Sequence, residues 1–150
     1  MRTRDIMATE PVTVSEDDRL DLADDIMTLG RIRHLPVVRA GVVVGVLSQR
    51  DLFRAAASSA LQLRRVAQQE WLGRLAVRGV MSAPPITVTP DADVRHAVDI
   101  MLAEKIGCLP VVGPGGRLMG LVSESDCLRA LKRILDNASV RQAMVELAAE

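Results

Sequence analysis

The chain has 150 residues, 49% of them hydrophobic and 25% charged, the composition of a globular protein with one domain around a core or two small repeats sharing one. Its 19 basic and 19 acidic residues cancel, so no global field draws it toward nucleic acid or an anionic membrane. With one Trp, one Phe and no Tyr, it lacks rings for stacking bases and must build its core from aliphatic side chains.

In chain order, Met1-Arg2-Thr3-Arg4-Asp5 leads into no apolar stretch of a secretory signal. An extended piece from Val12 to Val14 then ends at Ser15, a hydroxyl placed to cap a helix with Asp18 three residues on. The predicted helix carries Leu22, Ile26 and Leu29 on one face. Leu35 to Val38 reads as a strand, Arg39-Ala40-Gly41 as a turn, and Val42 to Leu47 as the hairpin partner. A closing helix starts at Ser48 and runs through Leu52-Phe53.

From Ala55 to Val77, Leu63, Ala67, Trp71 and Leu75 fall at fourfold spacing, which predicts an amphipathic connecting helix broken near Ser58-Ser59 or Gly73. Its basic face reads as solvated surface, because Glu70 and the glutamines dilute the charge. The earlier order then recurs. Ile86 to Val88 is extended, and Thr89 with Pro90 opens a helix carrying Val94, Ala97 and Met101. Leu109 to Val112 and Leu118 to Val122 flank the turn Gly113-Pro114-Gly115-Gly116, and a helix begins at Ser123. Val140 to Ala149 predicts a short terminal helix.

The recurrence is a duplication. An offset of 74 lays Arg4-Asp5-Ile6-Met7 on Arg78-Gly79-Val80-Met81, Pro11-Val12-Thr13-Val14 on Pro85-Ile86-Thr87-Val88, and Leu35-Pro36-Val37-Val38 on Leu109-Pro110-Val111-Val112. One extra residue in the second hairpin shifts the offset to 75 for the closing motif. The expected fold is α/β, a β-α-β-β-α unit written twice. Residues 1–56 form the first repeat, 57–77 a helical connector, 78–135 the second repeat and 136–150 a C-terminal helix.

Chemistry concentrates in Gly45-Val46-Leu47-Ser48-Gln49-Arg50-Asp51 and its twin Gly120-Leu121-Val122-Ser123-Glu124-Ser125-Asp126. Two readings stay open. Ser48 and Ser123 can be N-caps answered by Asp51 and Asp126, which requires no ligand. Alternatively, each carboxylate accepts the two hydroxyls of a ribose while Ser and free amides meet a phosphate, with Gly45 and Gly120 permitting close approach.

The doubled unit resembles the tandem CBS-domain pair, named after cystathionine beta-synthase. The matching pieces are Asp5-Ile6-Met7, Pro11 to Val14, Leu35 to Val38 and Gly45 to Asp51, with their second-copy equivalents. The resemblance implies two repeats packed through short sheets into a pseudo-two-fold disc with two clefts. Those clefts would take an adenosyl ligand such as AMP, ADP, ATP or S-adenosylmethionine. It assigns ribose binding to Asp51 and Asp126 and hydroxyl contacts to Ser48 and Ser123. Backbone around Thr13-Val14 and Thr87-Val88, and the strands before Pro36 and Pro110, would line the adenine and phosphate ends.

Arg33-His34 precedes Leu35-Pro36, where phosphate-binding family members often place basic residues, whereas the second copy has Gly107-Cys108. Arg31, Arg39, Arg50 and Arg54 add charge to the first copy, so unequal sites are expected, with phosphate at the first. His96 reads as an ordinary helix residue. No catalytic constellation or metal-ligand spacing is evident, and Cys108 and Cys127 read as free thiols. The expectation is a cytoplasmic, non-enzymatic regulatory module without an obligatory cofactor. It would form a homodimer and signal to a partner protein in trans, with no membrane insertion. The competing expectation is a ligand-free interaction scaffold.

Overall fold

The computed structural model describes residues 1–57 and 65–148. In the first repeat β2 (Val14–Ser15), β3 (His34–Arg39) and β4 (Val42–Ser48) form one sheet, in the order β2-β3-β4. The second sheet orders β1 (Ala8–Thr9), β6 (Leu118–Ser123) and β5 (Cys108–Val112) as β1-β6-β5. Alternation drives β4: Val43, Gly45 and Leu47 point inward and Val42, Val44 and Val46 are half-buried.

The β3–β4 turn places Ala40 and Gly41 at φ 49° and 80°. Positive φ at both central residues matches the right-handed strand twist, but an alanine there is strained. Ala40→Asn is therefore expected to stabilise the fold by about 0.5–1 kcal/mol, read as a higher urea midpoint. An unchanged midpoint would remove the strain argument. The extra residue of the second hairpin is absorbed by a 3-10 turn, Pro114–Gly116, with Gly115 and Gly116 at φ 69° and 77°.

The two repeats exchange their leading segments. Ala8 and Thr9 of the first repeat pair with Leu121 and Gly120 of the second. Conversely, Ser82 of the second bridges Val46 of the first, with backbone bonds of 3.1 and 2.9 Å. This exchange is what Gly45 and Gly120 allow. A Cβ on Gly45 would lie 2.7 Å from Met81 Sδ and 3.0 Å from the Ser82 carbonyl, and one on Gly120 would lie 2.7 Å from Met7 Sδ and 2.8 Å from the Ala8 carbonyl. The close approach read from these glycines is made by the chain's own backbone.

The cores follow the exchange. Val14, Leu20, Leu35, Val37 and Leu47 pack with Val77 and the half-buried Val80 and Met81, while Val88, Leu109, Val111 and Val122 pack with Ile6 and Met7. Helices α1 (Leu20–Gly30) and α4 (Val94–Glu104) start later than their hydroxyls predict. Ser15 and Asp18 close a turn instead, the Ser15 N–H donating to Asp18 Oδ2 at 2.8 Å, and Leu20 N–H is tied to the Leu75 carbonyl at 3.0 Å. In the second repeat Asp93 is the cap, accepting from the Arg95 N–H at 2.9 Å.

The buried face of α1 is Leu20, Ala23 and Met27, with Ile26 half-buried. Leu22 and Leu29, predicted inward, are exposed, because the late start turns that stripe outward. Ala97 and Met101 of α4 are buried as expected.

The closing helix α2 (Gln49–Ala57) precedes α3 (Arg65–Leu72), which stops before Gly73, one of the two predicted breaks. Leu63 and the other proposed break at Ser58-Ser59 lie outside the described residues. Leu72 of α3 is buried, and Trp71 Nε1 donates to the Ala55 carbonyl at 3.1 Å. At the far end, α5 (Glu124–Ala148) is one continuous helix of 25 residues. The predicted separate helix at Val140 is its continuation, since no Gly or Pro interrupts it. None of the described helices is long and apolar enough to cross a membrane.

Candidate functional site

Each Ser-x-x-Asp turn closes on itself. Ser48 donates from its N–H and its hydroxyl to Asp51 Oδ2, at 2.8 and 2.7 Å, and Asp51 N–H donates back to Ser48 Oγ at 3.2 Å. Ser123 makes the same two donations to Asp126 Oδ2, at 2.8 and 2.6 Å. The reciprocal cap is thus complete at Ser48, the second copy shows its carboxylate half, and each uses only one oxygen of its carboxylate. Oδ1 of Asp51 takes no hydrogen bond from any described residue, whereas Oδ1 of Asp126 accepts from Arg129 Nη2 at 2.6 Å.

Ser123 and Asp126 open into a cleft of about 330 Å³ whose walls come from both repeats. The first repeat contributes Ala8, Pro11 and Val12, brought there by the β1–β6 pairing, and the Arg31-to-His34 segment that joins α1 to β3. The second contributes Gly107, Leu121, Ser123 to Asp126, and Arg129. Arg31 sits at φ 51° as the left-handed cap of α1, a place usually given to glycine; its twin Lys105 caps α4 at φ 55°. A cleft of this volume has room for a small organic molecule.

Residues 4–58 and 77–133 each match the family model described as CBS domain. The chain belongs to the CBS domain family. It is 31% identical over 134 residues to a CBS domain-containing protein of Dictyostelium discoideum, covering 89% of this chain and 92% of that one. It is also similar to the CBS domain pair of protein MJ0100, solved in complex with 5'-methylthioadenosine and S-adenosyl-L-methionine, with a TM-score of 0.75 at 25% identity, covering 88% of this chain and 96% of that one. Its likeness to CBSX2 in complex with AMP has a TM-score of 0.73 at 25% identity, covering 89% and 97% of the two chains.

Within this CBS pair the cleft is cationic at one end. Arg31, Arg33 and Arg129 line it together with Glu124 and Asp126, and Arg129 pairs with Asp126. His34 lies between the repeats, and Gly107 makes room for it: a Cβ there would meet His34 Cε1 at 2.9 Å and Nε2 at 3.1 Å. Burial holds the imidazole below its ordinary pKa, aided by Arg33, while Glu124 and Asp51 pull the other way. His34 is therefore neutral above the ordinary histidine range.

The unfolded chain takes up this proton first, so His34 should cost stability as pH falls from about 6.5 through its lower folded pKa. Comparing urea midpoints of the wild type and His34→Gln at pH 7.5 and 5 isolates the effect, with the variant expected to lose less. Equal losses would refute it. Burial, with Glu124 second, pushes the Cys108 thiol up to about 12, and burial followed by Asp126 raises Cys127. Neither is a thiolate nucleophile at neutral pH.

The sequence-expected residues divide. Ser123, Asp126, Arg33 and His34 line this one cleft, so the basic pair faces the second copy's carboxylate. Arg33-His34, expected to mark a phosphate end at the first copy, lines the Asp126 cleft, while His34 also stands opposite Ser48 in the β3–β4 register. Ser48 and Asp51 occupy the equivalent helix start, beside the Val46–Ser82 bridge. Val14, Val88, Pro36 and Pro110 are buried side chains, and Thr13 and Thr87 are half-buried. At the described cleft the wall is Pro11-Val12, just before Thr13-Val14. His96 is exposed on α4. Arg129 escaped the sequence reading, although the offset of 75 already paired it with Arg54.

Proposed function

We propose that this CBS pair is a regulatory sensor that binds an adenine nucleotide or another adenosyl ligand between its repeats and signals to a partner protein in trans. One observation carries the reading: an acidic helix start from one repeat and a basic segment from the other converge on a single cleft. Asp126 serves the ribose, Ser123 and Arg33 serve the phosphate end, and Pro11-Val12 flank the base. Asp51 and Ser48 serve the equivalent ribose position of the second cleft, with Thr87, Val88 and Pro110 around its far wall and Thr13, Val14 and Pro36 behind the first. The complexes of MJ0100 and CBSX2 support the ligand class. Because both repeats contribute walls, a ligand shifts the population of their relative arrangements.

Exposed Phe53 on α2 and Leu128, Leu131, Ile134 and Leu135 on α5 support a homodimer or partner contact. A cytoplasmic setting and the absence of an enzymatic role belong to the same reading. Titration calorimetry with AMP, ADP, ATP and S-adenosylmethionine tests it, with saturable binding of at least one expected. No heat from any of them at millimolar concentration would overturn it. The closed Ser-x-x-Asp turns at Ser48 and Ser123 favour a second reading, a ligand-free scaffold, which predicts that null titration.

A further inference from the structure

The two repeats treat their ribose-binding carboxylates differently, and the difference lies in one pair of equivalent arginines. Oδ2 of both Asp51 and Asp126 already accepts two hydrogen bonds from its own serine, which fills its lone pairs. A vicinal diol must therefore be taken by Oδ1. In Asp51 that atom has both acceptor positions open toward the described residues, and Arg54 forms no ion pair with it. In Asp126 one position is occupied by Arg129, the residue equivalent to Arg54, at 2.6 Å. Asp126 can bind both hydroxyls of a ribose only by releasing Arg129.

The release is feasible because the partners are unequally placed: the Arg129 side chain is 71% exposed and that of Asp126 only 11%. An ion pair with one end in water is weak and readily exchanged. The released guanidinium stays in the cleft, which it lines together with Arg31 and Arg33. An uncharged adenosyl ligand leaves that third cation without a partner. A phosphorylated one supplies oxygens that guanidinium groups bind in a fork.

We propose that Arg129 is a specificity-determining residue, an internal occupant of Asp126 that admits phosphorylated adenosyl ligands to this cleft and disfavours uncharged ones. The Asp51 site, lacking such an occupant, takes a diol without compensation. The two sites thereby divide ligands by charge. This inference rests on the adenosyl reading above and adds to it the class each site selects.

The test is calorimetric titration of the full chain carrying Asp51→Ala, so that the Asp126 cleft is read alone, with AMP and with adenosine. Wild-type Arg129 should favour AMP. Arg129→Gln should tighten adenosine, weaken AMP and lower the AMP-to-adenosine affinity ratio by about tenfold, the worth of one charge-assisted hydrogen bond. Arg129→Lys, which keeps the charge, should retain most of the preference. Thermal melting without ligand checks that each variant is folded, which an exposed helix position favours. An unchanged ratio in Arg129→Gln, or equal weakening of both ligands, overturns the inference while leaving the adenosyl reading intact. If instead neither ligand binds, or Asp126→Asn leaves both titrations unchanged, the adenosyl reading of this cleft and the inference fall together.

Discussion

Asp126→Asn is expected to weaken AMP binding by about 100-fold while changing the stability of the free protein by less than about 1 kcal/mol. The two effects separate because the carboxylate does two jobs with two different atoms. Oδ2 caps α5 by accepting from Ser123, and an asparagine carbonyl oxygen can continue to do so. What remains is an amide NH2 in place of Oδ1. It donates where a ribose diol needs an acceptor, so two charge-assisted bonds are lost and their hydroxyls are left facing a donor. Asp126→Ala would blur this result, because it also strips the cap. Calorimetry measures the affinity and a urea transition the stability. A full loss of stability with unchanged affinity would make Asp126 a cap alone and support the scaffold reading.

The sequence carried the duplication because both copies had to satisfy the same local physics. Leu35 to Val38 and Leu109 to Val112 are buried strands, and Ser-x-x-Asp closes the start of each following helix. Local patterns therefore placed the hairpins and both closing helices. They misplaced what depends on distant partners. Ser15 has the signature of a helix cap, yet it closes a turn with Asp18, and the bond from Leu20 N–H to the Leu75 carbonyl follows an extended Arg19, so the helix starts at Leu20. That tertiary contact shifts the buried stripe of α1 to Leu20, Ala23 and Met27.

The site shows the same limit. Ser123 and Asp126 were legible as a motif, and Arg33-His34 as a basic departure from symmetry. That the pair also lines the cleft of Asp126 was not legible, because it depends on the exchange of Ala8 and Ser82 between sheets. No local periodicity encodes a two-residue strand that pairs with residues more than a hundred positions away.

That exchange can be broken at Gly120, where Gly120→Val is expected to cost about 3 kcal/mol and to weaken ligand binding as well. Any side chain at position 120 begins with a Cβ 2.8 Å from the Ala8 carbonyl oxygen and 2.7 Å from Met7 Sδ. The methionine end can swing away, but the carbonyl belongs to β1, so relief requires that strand to leave β6. Ile6 and Met7 then leave the second core against which they pack. Ala8, Pro11 and Val12 would leave the cleft wall with them. Gly45→Val should repeat the result on the other sheet, through the Ser82 carbonyl at 3.0 Å. Gly79→Ala is the control: a Cβ there meets nothing within 4 Å, so the change should stay within about 0.5 kcal/mol. Urea midpoints and AMP titrations on the three variants give paired readouts. Asp126→Asn moves affinity with little effect on stability, whereas Gly120→Val should move both together. Stability lost at Gly120 with affinity intact would mean that β1 does not build the site.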